Sequence, residues 1–237
     1  MSSSFQFKQF TIQQDKCAMK IGTDGVLLGA WATLQHQPET ILDIGAGTGV
    51  VALMLAQRST AHTIEALEID SDAYEQAAEN FENSPWPDRL FCYHAGFIEF
   101  IEEIDDQYDL IVSNPPFYIE NYKTDNPKRD LARFADALPF EHLLHGTAKL
   151  LAEKGKAVFI IPYTEEETFI RLASKVNLFP NSILRIKGNT NTNIKRSLIE
   201  FSFQKTSIKN NELIIETSRH QYTNEYINLT QDFYLKL

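Results

Sequence analysis

The sequence predicts an α/β fold in which helices cover both faces of a doubly wound, mostly parallel β-sheet. From Ile41 onward, short apolar runs alternate with helical patterns, which is typical of βαβ units. The length of 237 residues suits one such domain with modest additions. We therefore expect a single domain, divided into an amino-terminal extension (1–40), a core (41–205) and a carboxyl-terminal addition (206–237).

The core elements are predicted in regular alternation. Strands are expected near 41–43, 63–68, 90–94, 108–113 and 156–161. Helices are expected at Val50–Gln57, Asp72–Glu82 with Ser71 as its cap, Phe97–Ile104, Phe140–Leu151 and Glu165–Lys175. Two β-rich runs, 181–187 and 196–204, flank a polar segment and predict an antiparallel hairpin that closes the sheet edge. A strand at Glu212–Thr217 and a helix around Asn224–Leu235 complete the pattern.

Composition points to a compact cytoplasmic protein. Hydrophobic residues make up 43% and charged residues 23%, close to globular averages. The sequence has no run of about 20 apolar residues and no signal-peptide pattern at its start. Cys17 and Cys92 lack metal-ligand spacing, so we expect two reduced, mostly buried thiols and no metal site.

The net charge of -10 argues against a nonspecific nucleic-acid binder. RNA binding is compatible with this charge only if basic residues gather on one face. Three local groups make that possible, although a scattered, solvated surface is the alternative for each: Lys8, Lys16 and Lys20; Lys123, Lys128, Arg129 and Arg133; Arg185, Lys187, Lys195 and Arg196.

A glycine-rich turn follows the first core strand. Glycine lets the backbone turn sharply and approach a ligand closely, and here Gly45, Gly47 and Gly49 stand at alternate positions after Asp43. A dinucleotide site would have its third glycine one residue later. The run resembles the D-x-G-x-G-x-G loop of the class I, Rossmann-like methyltransferases, which implies S-adenosyl-L-methionine as cofactor. Asp43 can complement the cationic part of this cofactor.

Two further positions are candidates for cofactor binding. Glu68 ends the second strand about 20 residues past the loop, where an acid can bind two ribose hydroxyls. Class I enzymes that methylate nitrogen often carry Asp just after the third strand, and Gly96 takes that position here. We therefore expect the adenine to be held by apolar contact with Phe97 or by backbone groups.

The catalytic candidate is the run Asn114-Pro115-Pro116-Phe117 at the end of the fourth strand, where open α/β sheets bind ligands. Two prolines could merely make a rigid turn, but the position after the glycine loop and Glu68 favours function. An exocyclic amine on a planar ring is a poor nucleophile. The Asn114 side-chain oxygen and the Pro115 carbonyl can accept its two hydrogens, while Phe117 stacks on the ring, without a nucleophilic side chain or a metal.

These elements resemble the N-methyltransferases with an Asn-Pro-Pro-aromatic motif, and the rest of the chain narrows the choice. The amino-terminal runs are closely similar to those of the bacterial tRNA adenine-37 N6-methyltransferases that act on a valine tRNA. The resemblance implies N6-methylation of a tRNA adenine, and it covers nearly the whole chain: 5–10, 14–31, 83–86, 114–117, 222–226 and 229–235. The departures are Phe117, where Tyr is also common, and Gly96.

Further contacts are expected on both ligands. Lys20, Thr23 and Asp24 are expected just before a helix that lies over the cofactor and are candidates for contacts with its methionine part, although Thr23 or Asp24 could simply cap that helix. Basic residues after the catalytic motif or on the hairpin could meet tRNA phosphates: Lys128, Arg129, Arg133 and Arg196.

Three other functions are weighed against this one. A glutamine methyltransferase acting on a release factor would use the same Asn-Pro-Pro site, but the amino-terminal run and the lack of a helical recognition domain before Ile41 disfavour it. A catalytically idle RNA-binding protein is disfavoured by the intact motif. A nicotinamide dehydrogenase is disfavoured by the glycine spacing.

Overall fold

A computed structural model describes residues 3–115 and 138–236. In the first range the elements are β1 (Ser4–Gln6), β2 (Thr11–Gln13), α1 (Thr23–Trp31), β3 (Thr40–Ile44), α2 (Val50–Arg58), β4 (Thr63–Glu68), α3 (Ser71–Glu82), β5 (Leu90–His94), α4 (Phe97–Glu103) and β6 (Tyr108–Ser113). In the second they are α5 (Phe140–Leu150), β7 (Leu151–Pro162), α6 (Glu166–Lys175), β8 (Phe179–Asn189), β9 (Ile194–Ser202), β10 (Lys209–Ser218), β11 (Gln221–Tyr222) and α7 (Asn224–Thr230).

The main sheet has the order β11-β10-β8-β9-β7-β6-β3-β4-β5 in the described ranges. Strands β5, β4, β3, β6 and β7 pair in parallel, and β9 runs antiparallel between β7 and β8. From β3 the chain moves outward to β4 and β5, whereas β6 lies on the other side of β3. Strand order therefore reverses between β3 and β6, and a crevice opens there at the carboxyl ends of the parallel strands, hereafter the carboxyl edge.

Helices bury both faces of this sheet, as predicted. One core contains apolar side chains of α1, α2, α3 and α7, including Leu28, Leu53 and Phe81, and the other contains side chains of α4, α5 and α6, including Phe100 and Phe169. The central strands are buried on both sides, which explains their nearly continuous apolar sequences. No helix in the described ranges is long and apolar enough to cross a membrane.

The two ends of the chain meet in an aromatic cluster. The Phe7 ring stacks on Tyr234 at 5.8 Å and packs against Phe10 at 4.8 Å, and Phe10 meets Trp86 edge-on at 6.0 Å. The Lys8 amide also donates to the Phe233 carbonyl at 2.8 Å. Aromatic residues in the terminal runs and at Trp86 thus have a structural role, fastening both additions to the core.

The structure confirms the doubly wound pattern and corrects several details. The β8–β9 hairpin does not close the sheet edge, because β10 pairs in parallel with β8 and β11 lies beyond it. Asp70, not Ser71, caps α3: its backbone is extended and its Oδ1 accepts from the Ala73 amide at 2.8 Å. Strand β7 begins earlier than predicted, at Leu151, and the last helix ends earlier, at Thr230. The short strands β1, β2 and β11 were not predicted.

The two cysteines are free thiols, as expected. Cys17 is buried and Cys92 partly buried. Burial raises the pKa of each thiol to about 12, with nearby carboxylates adding to the shift. Both side chains therefore stay protonated at neutral pH and serve as packing groups.

Candidate active site

The glycine loop joins β3 to α2 at the crevice. Gly45, Gly47 and Gly49 have φ of +77°, +55° and +78°, a left-handed conformation that favours glycine at all three positions. A Cβ atom added at Gly49 would lie 2.5 Å from the Phe81 ring, whereas one at Gly45 or Gly47 would meet nothing within 4 Å. Gly49 is therefore required for packing, while Gly45 and Gly47 border an open surface that can receive a ligand.

Glu68 lies beside this loop at the end of β4. Its Oε2 accepts from the Gly47 amide at 2.7 Å, and its Oε1 accepts from the amides of Ile69 and Asp70 at 2.9 and 3.0 Å. Three backbone donors thus fix a partly exposed carboxylate, which still has lone pairs for hydroxyl donors. The structure brings Glu68 and the loop together, as the sequence predicted.

Asp43 lies beneath the loop, with only 1% of its surface exposed. Its Oδ2 accepts from the Ala52 amide in the first turn of α2 at 3.2 Å. Burial raises the pKa of Asp43 to about 7; the Ala52 bond opposes this shift and the charge of Glu68 adds to it. The carboxylate therefore supports the loop and α2 from below, and a cation on the loop would favour its charged form.

The start of α1 lies next to the loop. Lys20 and Thr23 are exposed, and a Cβ atom added at Gly25 would lie 3.1 Å from the Val50 side chain that follows the loop. The residue preceding the helix is Gly22, and no side chain caps it. The expectation that Thr23 or Asp24 caps α1 is therefore wrong, since both lie inside its first turn.

Asp24 and Arg196 form one ion pair, with 2.7 Å between Oδ2 and Nε. The sequence suggested different ligands for them, the cofactor for Asp24 and RNA phosphate for Arg196. Each retains about a third of its side-chain exposure, at 29% and 31%. Binding either ligand would require these groups to share or exchange partners, so both expectations remain predictions.

Two buried amides on α3 hold the amino-terminal extension against the loop. Asn80 donates to the carbonyls of Gln13 and Thr48 at 2.9 and 3.0 Å, and its Oδ1 accepts from the Gln13 amide at 2.8 Å. One turn earlier, Gln76 Oε1 accepts from the Lys16 amide at 2.9 Å. The sequence analysis missed these residues; the available signal was a pair of amides four positions apart on the apolar side of a helix.

The residues near the expected adenine position differ from those that the sequence suggested. Phe97 is 6% exposed, and a Cβ atom added at Gly146 would lie 2.5 Å from its ring, so this side chain faces the core and not the crevice. Gly96 has ordinary extended angles, φ -72° and ψ 143°. Ile69, which the sequence analysis missed, is 51% exposed and approaches the Gly96 Cβ position at 3.5 Å. It provides apolar surface beside Glu68.

Asn114 and Pro115 follow β6 directly on the other side of the crevice. Ser113 is paired with Ile44 in the sheet, and its buried Oγ donates to the Ile44 carbonyl at 2.7 Å. This bond holds the start of the motif level with the start of the glycine loop. Asn114 is partly exposed and Pro115 buried. The other predicted residues of this side lie outside the described ranges: Pro116, Phe117, Lys128, Arg129 and Arg133.

Many described basic residues already have acidic partners. Lys16 binds Glu79 at 2.8 Å and Lys187 binds Glu212 at 2.9 Å. The predicted basic face is thus partly neutralised, whereas Lys195 is exposed at the hairpin. Within the described ranges no three His, Cys, Asp or Glu side chains are grouped to hold a metal ion.

Comparison with known proteins agrees with this geometry. The family model described as the methyltransferase small domain matches residues 22–162. Two solved structures share the fold: a predicted O-methyltransferase from Agrobacterium tumefaciens (TM-score 0.68, 18% identity, 89% of this chain and 96% of that one) and a ribosomal protein L11 methylase from Lactobacillus delbrueckii subsp. bulgaricus (TM-score 0.59, 16% identity, 81% and 83%).

Curated relatives match over nearly the full length. Proteins named tRNA1(Val) (adenine(37)-N6)-methyltransferase are 63% identical in Christiangramia forsetii, covering 98% of both chains, and 62% in Flavobacterium psychrophilum, covering 98% of this chain and 100% of the other. The relative of that name in Trichodesmium erythraeum is 44% identical, covering 99% and 98%. With the glycine loop, the acid at Glu68 and the Asn114 motif in place, the chain belongs to the family of tRNA1(Val) (adenine(37)-N6)-methyltransferases.

Proposed function

We propose that this protein transfers a methyl group from S-adenosyl-L-methionine to the N6 amine of adenine-37 in a valine tRNA. The observation that carries the proposal is the position of Asn114 and Pro115, tied through Ser113 to the strand end from which the glycine loop begins. Near-full-length relatives at 44–63% identity bear the name of this reaction.

The residues of the crevice fit this cofactor. Gly45 and Gly47 leave open surface above the loop, where a side chain would otherwise project. Glu68 is fixed to accept from ribose hydroxyls, and Ile69 offers apolar surface to a purine. Lys20, Thr23 and Asp24 are the proposed contacts of the methionine part, because they lie before Gly25, which packs on Val50 next to the loop. When bound, S-adenosyl-L-methionine supplies an electrophilic methyl group on a positively charged sulfur.

The chain activates and orients the accepting amine. The lone pair of an exocyclic amine is delocalised into the base, so the nitrogen attacks poorly while it stays planar. The Asn114 side-chain oxygen and the Pro115 carbonyl accept one amine hydrogen each, which favours a pyramidal nitrogen and stabilises the positive charge that develops on it. Phe117 stacks on the extruded base. Pro115 and Pro116 restrict the backbone and so reduce the cost of holding these acceptors.

The substrate is a large polyanion, and we expect the reaction to take place in the cytoplasm, where tRNA is found. Basic residues after the motif and on the hairpin are the proposed phosphate contacts: Lys128, Arg129, Arg133 and Arg196. Because the net charge is -10, we expect binding to be localised and sensitive to salt.

The proposal is tested by incubating purified protein with S-adenosyl-L-methionine and unmodified valine tRNA, then mapping nuclease fragments by mass spectrometry. We expect one added methyl group, on N6 of adenine-37. A transcript with guanine at position 37 and the Asn114→Ala variant are the controls: the transcript should gain no mark at position 37, and the variant should methylate adenine-37 more slowly, on the order of a hundredfold or more. Methylation of a glutamine-bearing release-factor peptide in place of tRNA would contradict the proposal.

A further inference from the structure

An aromatic side chain stands at the carboxyl edge beyond β7, on the far side of Asn114 from the glycine loop. Ser113 pairs with Phe159, so β7 continues through Pro162 above the level of Ser113, and Tyr163 follows. At about 3.3 Å per residue, the four residues from Phe159 to Tyr163 place Tyr163 roughly 13 Å beyond Ser113 along the strand direction. Tyr163 is 41% exposed, so its ring is accessible to a stacking partner.

Beside Tyr163 an arginine is held rigidly by a buried carboxylate. Arg185 Nε donates to both oxygens of Glu166 at 3.1 and 3.0 Å, and its Nη2 donates to Oε1 at 2.6 Å. Glu166, 9% exposed, also accepts from the buried Ser197 hydroxyl. The hydrogen bond to Glu166 is the main cause that raises the pKa of Arg185; burial opposes this shift, and the nearby Tyr163 hydroxyl makes the smallest contribution. The guanidinium is therefore fixed and always charged.

This pair leaves part of the guanidinium available. The Arg185 side chain is 30% exposed, and its Nη1 has no hydrogen-bond partner among residues 3–115 and 138–236. A buried ion pair usually adds little net stability, because desolvation offsets the attraction between the charges. Glu166 binds the guanidinium edge formed by Nε and Nη2, however, and so orients the remaining edge that carries Nη1. That arrangement suits recognition of a phosphate.

Tyr163 and Arg185 lie on the same stretch of the carboxyl edge. Ile161, Ser197 and Arg185 are register neighbours across β7, β9 and β8, and Tyr163 follows Ile161 by two residues. The distance of roughly 13 Å from Ser113 corresponds to about four stacked nucleotides at ~3.4 Å per step. RNA bound with one base at Asn114 can therefore bring a nucleotide a few positions away to this cluster.

We propose that Tyr163 and Arg185 form a binding site for a nucleotide near the target adenine in the tRNA, with the ring stacking on its base and Nη1 donating to its phosphate. The inference rests on the proposed function, since it assumes that tRNA is the substrate. Unstacked bases of single-stranded RNA loops bind by stacking on exposed aromatic side chains, and Tyr163 offers such a ring.

The test measures binding of a fluorescent valine-tRNA anticodon stem-loop by anisotropy, together with KM and kcat for the whole tRNA. Tyr163→Ala should raise the Kd and the KM about tenfold, in the range for losing one base–aromatic stack, without changing cofactor affinity. Tyr163→Phe should stay within twofold of wild type. Phe91→Ala is the matched control, because this ring is similarly exposed, at 42%, but lies on the edge strand β5, four strands away from β7.

Arg185→Gln tests the phosphate contact. It keeps a hydrogen-bond donor for Glu166, and thermal unfolding checks that the variant is folded. The slope of log Kd against log salt should fall by about 0.7 if one phosphate of single-stranded RNA is lost. If wild-type enzyme methylates tRNA while Tyr163→Ala behaves like Phe91→Ala, the nucleotide site is refuted and the proposed function stands. If wild-type enzyme methylates no tRNA, the proposed function fails, and anisotropy still reports whether this cluster binds RNA.

Discussion

The two sides of the crevice are built in different ways. On the glycine-loop side, polar groups are buried or hydrogen-bonded within the protein: Glu68 accepts from three backbone amides, and Asn80 joins the Gln13 and Thr48 segments. On the other side, which runs from Asn114 to the β8–β9 hairpin, Asn114 is partly exposed, Tyr163 is exposed and Arg185 is 30% exposed. The ligands that we propose for the two sides account for this difference. A small cofactor of constant shape can be met by a preformed site, whereas a large polyanion needs groups that face solvent.

The largest expected effect belongs to the side that meets the accepting base. Asn114→Ala should lower the single-turnover rate of methyl transfer on the order of a hundredfold or more, the usual scale for removing one preorganised transition-state contact. Cofactor affinity should change little, since Asn114 follows β6 and is not part of the loop. Single-turnover transfer of labelled methyl to tRNA measures the effect. If Asn114→Ala transferred methyl at the wild-type rate, the Asn-Pro-Pro motif would be only a structural turn.

Glu68→Ala should have the next largest effect, on cofactor affinity. The loss of a charged acceptor is worth about 1.5–3 kcal/mol, or roughly 10- to 150-fold in affinity. Three backbone amides also lose their partner, so the melting temperature should fall. Glu68→Gln keeps one acceptor oxygen, so its cofactor affinity should lie between those of the wild type and Glu68→Ala. Calorimetry with S-adenosyl-L-methionine checks this order, and unchanged affinity in both variants would remove Glu68 from the site.

Substitutions at two glycines of the same loop should separate the effect on protein stability from the effect on cofactor affinity. Gly49→Ala puts a methyl group against the Phe81 ring at positive φ, so it should cost about 2–4 kcal/mol of stability. Gly47→Ala also adopts a positive φ but meets open space, so it should cost only about 1–2 kcal/mol while lowering cofactor affinity about tenfold. Denaturant unfolding and calorimetry on both variants test the contrast. Equal losses of stability would contradict it.

The smallest predicted effect is a pH dependence caused by Asp43. Because burial raises its pKa to about 7, its contribution to stability is fully present below the unfolded pKa and is lost as pH rises from about 4 through 7. A bound cation favours the charged carboxylate, so cofactor affinity should rise a few-fold between pH 6 and pH 7 and then level off. Asp43→Asn should flatten this dependence; the same profile in the variant would assign it to another group.

How well the sequence predicted each part depends on how local its signal is. The core strands were predicted because parallel strands that are buried on both faces have nearly continuous apolar sequences. The glycine loop and Glu68 were predicted because a backbone at positive φ requires glycine, and because the acid at the next strand end follows the loop at a fixed spacing. Strands such as β1 and β11, of two or three residues, are too short to show a period.

Contacts between distant segments could not be read in this way. Asp24 and Arg196 are 172 residues apart, and only the fold makes them partners. Phe97 begins a helix whose buried face is decided by packing on Gly146, so its place after β5 gave a misleading signal. Ile69 directly follows a strand, and nothing in the sequence there indicates that its apolar side chain is exposed.

The central claim is that the glycine-loop side binds the cofactor and the Asn114 side activates the accepting amine. It is tested most directly by Glu68→Ala and Asn114→Ala. Both variants are measured for cofactor affinity and for single-turnover transfer at saturating S-adenosyl-L-methionine. Glu68→Ala should bind the cofactor weakly and recover most of its transfer rate at saturation. Asn114→Ala should bind the cofactor normally and remain slow on the order of a hundredfold at every concentration. If both variants lose affinity and saturated rate alike, the two sides do not act separately and the account is wrong.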